Sequence, residues 1–156
     1  MTTLALVCLI VSIVLFVSYI SYIYIKYRPD CISRSYYLLR NGNIFTIWIL
    51  CVSFLIFPAW VEVSPINYQF LPFLSVVSLS TVGIFPRYLD SDRQLHLTAA
   101  TISGIISLIW NILIGTYLFP TIFLVILIIL YSNNVANKFF WTECSSFLNI
   151  YLSILI

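Results

Sequence analysis

The chain has one histidine, His96, and the residue types that could work with it are few enough to name. Asp90, Asp92 and Arg93 precede it closely, Ser33 and Ser35 lie in an earlier polar segment, and Glu143 interrupts an apolar run near the C-terminus. A serine, an imidazole and a carboxylate can together activate a hydroxyl nucleophile: the ring takes the proton and the carboxylate orients the ring. Neither serine sits in a Gly-x-Ser-x-Gly turn, so no familiar nucleophile motif supports that reading. The plainer reading makes His96 the polar start of a helix. Zinc chemistry has little to build on. Cys8, Cys51 and Cys144 lie in apolar runs, Cys31 stands in a polar segment, no two form a Cys-x-x-Cys pair, and a single His does not complete a site of the usual spacing. No metal or cofactor is expected.

A second group of polar residues repeats at helical spacing. His96, Ala100, Ser103, Gly104, Ser107, Asn111 and Gly115 recur in steps of three and four, which keeps them on one face of a helix. Ser75, Ser78, Thr81 and Gly83 form a comparable set in the preceding apolar segment. Small residues let helix backbones approach closely, and Ser and Asn hydrogen-bond across the contact, so the two sets read as a helix–helix packing seam. The sharper alternative is a polar path for a solute or proton, running through Asn111 and Glu143.

The elements that must position these residues follow from composition. Of 156 residues, 62% are hydrophobic and 8% charged, where an ordinary soluble domain carries about 25% charge. Mean hydropathy is +1.09. A soluble fold of this size cannot cover so much apolar surface with so few charges, so the expected fold is all-α, a polytopic helical bundle in a bilayer. The net charge of +2 and the lack of a basic run exclude nucleic acid as a partner class.

A membrane helix needs about 20 mainly apolar residues. Six segments qualify or nearly so: about 4–25, 44–61, 68–85, 97–115, 117–131 and 139–156. They make up a single integral-membrane domain spanning 1–156. The first lacks the positive flank and small-residue cleavage site of a signal peptide and is expected to be permanent. The third contains Pro72, an expected interruption, and the second has Pro58 near its end. The fifth is short, about 22 Å at helical rise. Between the first two spans, Pro29 stops the helix, Ser33 or Ser35 is expected to cap a short interfacial helix over Tyr36–Leu39, and Asn41-Gly42 supplies a turn.

Charge placement predicts sidedness. Lys26, Arg28, Arg34 and Arg40 follow the first span, Arg87 and Arg93 follow the third, and Lys138 follows the fifth; connectors two and four carry no Lys or Arg. The positive-inside rule then places the odd connectors in the cytoplasm and both termini on the non-cytoplasmic side of the cell (inner) membrane. His96, Glu143, Ser33 and Ser35 all fall at that cytoplasmic end, whereas Glu62 falls beside Trp60 at the other. A carboxylate as deep as Glu143 needs a partner or a wet surface, and Lys138, His96 and the arginines of the third connector are its candidates.

Two resemblances attach to particular strings. Cys31-Ile32-Ser33-Arg34-Ser35-Tyr36-Tyr37, Phe57-Pro58-Ala59-Trp60-Val61-Glu62, Tyr68-Gln69-Phe70-Leu71, Val82-Gly83-Ile84-Phe85-Pro86 and His96-Leu97-Thr98-Ala99-Ala100 resemble small multi-pass membrane proteins of gut Bacteroidetes and their phages, over roughly residues 28–150. That resemblance implies the multi-pass fold and no particular activity. Ser33 or Ser35, Asp90 or Asp92, and His96 also echo the superfamily of membrane hydrolases that includes alkaline ceramidases, in which a Ser, an Asp and three His bind a metal at the cytoplasmic side. The later His pair of that pattern is absent here, where only Glu143 stands.

Three functional readings remain. The first is a non-enzymatic membrane protein acting by association with lipid or with another membrane protein, either a second copy or a different chain. The second is a membrane-embedded hydrolase using Ser33 or Ser35, Asp90 or Asp92, and His96, with Glu143 nearby. The third is a small transporter or proton path.

Overall fold

A computed structural model describes residues 1–86 and 92–156. Asp90, one of the candidate carboxylates, and Arg87 lie outside the described residues. Those described form seven α-helices and no strand. They are α1 (Thr3–Tyr27), α2 (Ser35–Leu38), α3 (Asn43–Val63), α4 (Phe70–Ile84), α5 (Arg93–Leu113), α6 (Leu118–Ser132) and α7 (Lys138–Leu155), with 3-10 turns at Ile32–Arg34 and Ile66–Tyr68.

Local chemistry sets where the helices begin and end. Thr2 caps α1, its hydroxyl accepting from the Ala5 amide at 3.3 Å. The helix stops at Arg28, which takes a left-handed φ of 46° just before Pro29. Pro72 does not interrupt the third segment as expected. It falls in the first turn of α4, where a missing N–H costs no hydrogen bond. α5 closes at Gly115, φ 84°, with Thr116 N donating to Asn111 O (3.0 Å) and Gly115 N to Ile112 O (3.2 Å), a Schellman end that calls for glycine. Asn134 plays the same part after α6, where Val135 N donates to Leu130 O at 3.0 Å. The helix expected after Ser33 or Ser35 is present, but neither serine side chain caps it.

The long helices pack as antiparallel neighbours in chain order: α1 on α3, α3 on α4, α4 on α5, and α6 on α7. α7 also reaches α1 and α5. Phe16 and Phe147 rings meet at 4.8 Å, the Ser12 and Tyr151 hydroxyls at 2.8 Å, and Ser153 donates to Asn111. Tyr19 stacks on Trp48 at 4.1 Å, and the Trp48 indole N–H donates to Leu15 O. Thr2 donates to Glu62 through both its amide and its hydroxyl, tying the start of α1 to the end of α3. At the opposite end Phe140 N donates to Asp30 O (2.8 Å) and Asn137 Nδ2 to Arg28 O (3.2 Å). The start of α7 therefore lies against the first connector.

Helices α1, α3 and α5 are long and apolar enough to cross a membrane, with mean hydropathies of 2.7, 2.3 and 1.5; α6 is a shorter apolar helix. Only 28% of the most apolar stretch of α1 and 33% of that of α5 are buried inside the bundle. Leu4, Val14, Ile47, Phe54 and Ile128 point outward. Apolar helices that turn most of their side chains away from their own core suit a lipid exterior.

Candidate functional site

The first connector does not loop freely over the end of the bundle. Cys31–Leu38 folds back into it, and Ile32, Ser33 and Ser35 are buried. Three elements hold this segment. From α5, His96 places Nε2 at 2.8 Å from Ser33 Oγ. From α7, Glu143 accepts the Ile32 amide on Oε2. From α1, Tyr19 OH lies 2.6 Å from Ser35 Oγ, which also donates to Ile32 O at 2.7 Å.

His96 is 2% exposed. Its Nδ1 lies 2.9 Å from the Phe85 carbonyl oxygen, at the end of α4. A carbonyl only accepts, so Nδ1 carries a proton, and in the neutral ring Nε2 presents its lone pair to the Ser33 hydroxyl. The orienting acceptor is thus a backbone carbonyl. Asp92 lies just before α5 and supplies its own carbonyl to the His96 amide at 3.0 Å. Ser33 and Ser35, interchangeable in the sequence, separate here: one faces His96, the other Tyr19.

Ser33 and Glu143 also face a cavity of about 100 Å³ between α3, α4, α5 and α7. Its polar wall adds Ser103, Ser107 and Ser146, and its apolar wall includes Phe45, Ile49, Leu79, Val82, Phe147 and Ile150. Ala100 and Gly104 belong to the same wall. The residues expected to form one packing seam therefore do different things. Ser75 and Ser103 clasp α4 to α5, their hydroxyls 2.9 Å apart and each within hydrogen-bond reach of the other's carbonyl oxygen. Ser78 is half-buried on α4. Ala100, Gly104 and Ser107 face space, and a Cβ added at Gly104 would meet nothing within 4 Å. Asn111 is fully buried at the far end of α5, where its amide donates to Ser107 O and its Oδ1 accepts from Thr116 and Ser153. It stands outside the wall that Glu143 shares. Gly83 is the close-approach glycine, since a Cβ there would meet Ile49 Cγ2 at 2.4 Å, against α3 rather than α5.

Gly104, Ser107 and Ser146 border a second, smaller hollow of about 30 Å³ that continues to Phe123 on α6 and Asn149 on α7. Asn149 is 6% exposed, and its Oδ1 has no hydrogen-bond partner among the described residues. Among those residues no group of three or more His, Cys, Asp and Glu is placed to hold a metal. The sequence did not point to the Ile32 amide, the Phe85 carbonyl, Ser146 or Asn149. The first two are backbone groups with no sequence signature, but Ser146 stands three residues after Glu143, a spacing that would have placed it on the same face. No protein-family model, no curated protein and no solved structure matches the chain.

Proposed function

We propose that the chain crosses the cell (inner) membrane six times with both termini on the non-cytoplasmic side, and that it acts by seating the head and first few carbons of an amphipathic, lipid-derived molecule in the cavity between α3, α4, α5 and α7, with the rest of its chain in lipid. The observation that carries the second part is the cavity's division into a polar wall (Ser33, Ser103, Ser107, Glu143, Ser146) and an apolar one. A lone headgroup would leave the apolar wall unmatched, and a bare hydrocarbon would leave the polar one unmatched. The adjoining hollow supports an approach from the α6 side, and the unpartnered Asn149 Oδ1 there suits an occupant with a hydroxyl to donate.

The topology rests on charge together with helix order. Among the described residues six long helices alternate in direction, and the described cations stand at or next to the end where Phe140 meets Asp30. α4 and α6, at 15 residues, measure about 22 Å, so the reading requires a locally thinned bilayer or flanking turns that complete the crossing.

Lipid extraction and mass spectrometry of protein purified in a mild detergent test the binding reading. The expected result is a retained amphipathic species in the wild type that is depleted at least tenfold in Gly104→Leu, whose side chain fills the open space. Equal retention by both, at the level of bulk lipid, would overturn it.

A further inference from the structure

Resting on that cavity reading, we propose that Ser33 is a nucleophile and His96 its general base, acting on a carboxylic ester of an apolar acyl chain presented from the membrane. The geometry carries each part. Ser33 Oγ and His96 Nε2 are 2.8 Å apart, the distance a base needs to take a hydroxyl proton. The Phe85 carbonyl holds Nδ1–H at 2.9 Å and so aims the lone pair of Nε2 at that hydroxyl. The imidazole is buried on a helix and the serine on a segment pinned by Glu143, so both ends of the pair are held. Ser33 borders the cavity, which gives the first carbons of the acyl chain an apolar wall of Phe45, Ile49, Leu79 and Val82.

The reaction needs only the ester and water. Ser33 Oγ attacks the carbonyl carbon while its proton passes to His96 Nε2. The bond from that carbon to the alkoxy oxygen then breaks, and the same proton leaves with the alcohol. Water next attacks the acyl-serine, gives a proton to Nε2, and releases the carboxylic acid as that proton returns to Ser33 Oγ. No metal and no redox partner takes part.

Glu143 is a positioning residue in this scheme, because it holds the amide next to Ser33 and is not within the proton-transfer pair. Ser35, turned toward Tyr19, has no role in it.

The test treats the full chain, in detergent micelles, with an alkyl fluorophosphonate, which reacts fastest with activated serine hydroxyls. The expected result is one adduct per chain, mapped by peptide mass spectrometry to Ser33, absent in Ser33→Ala, kept in Ser35→Ala, and formed about a hundredfold more slowly in His96→Gln. Absence of an adduct on folded wild-type protein, or an adduct mapped elsewhere, would overturn the proposal. If Ser33→Ala fails to fold, the mapping on the wild type decides alone. A photoactivatable fatty acid separates the two readings. Cross-linking to the cavity wall without a Ser33 adduct removes the nucleophile and leaves the binding reading standing, whereas loss of both removes both.

Discussion

A neutral imidazole has one ring proton, and at His96 the backbone decides where it sits. Because the Phe85 carbonyl fixes that proton on Nδ1, the bond to Ser33 runs from hydroxyl to ring. Ser33→Ala should therefore strand a buried acceptor and lower unfolding stability by about 0.6–1.7 kcal/mol, from the average to the largest value for polar contacts between membrane helices. Equilibrium unfolding in mixed micelles, run as a double-mutant cycle with His96→Ala, measures it, and a coupling energy of zero would show that the pair is not formed. Asn111→Ala should be costlier, since one side chain there serves Ser107, Thr116 and Ser153. The convergence of Ser33, His96 and Glu143 on one end was legible from residue types and charge placement. Which serine meets the ring was not: at roughly 100–120° per residue, two positions along a tight turn face opposite ways.

Helices α4 and α5 show what a small-residue pattern does and does not specify. Gly83 and Gly104 look alike in the sequence, yet one sits where Ile49 leaves no room and the other where nothing lies within 4 Å. Gly83→Ala should cost about 1–3 kcal/mol through overpacking. Gly104→Ala should be neutral or stabilising by about 0.5–1 kcal/mol, the ordinary helix advantage of alanine. Thermal unfolding of the two variants side by side checks the sign of each, and destabilisation by both would mean that α5 is packed where the structure leaves space. The helix bounds were within a few residues of those expected, because apolar length, Pro29 and Gly115 are local signals. The difference between seam and cavity depends on how far apart α5 and α7 stand, which no residue type records.

For the molecule as a whole, the outward face is as informative as the core. Many of the large apolar side chains, such as Leu4, Phe54 and Ile128, are exposed, while Ser12, Ser53, Ser75 and Asn111 are buried. Hydroxyls and amides inside and hydrocarbon outside is the order lipid favours. The proposed topology predicts that a reporter fused after Ile156 reads as non-cytoplasmic and one inserted between residues 133 and 137 reads as cytoplasmic. The opposite pattern would invert the molecule, and agreement of both reporters would remove one crossing. The alternation of charge along the chain was legible at once because only seven cations exist to be placed. The inward fold of the first connector was not, since its partners come from α1, α5 and α7.

That inward fold sets an order of events. The Ile32 amide waits for a carboxylate 111 residues further on, and the Asp30 carbonyl waits for Phe140. At a synthesis rate of about 5–20 residues per second, the connector stays unseated for about 5–20 s after it leaves the ribosome. Seating of the connector therefore waits for α7, which closes a seat begun at the end of α1. A chain arrested after Asn137 should leave residues 28–40 open to protease, and one extended through Ile156 should not.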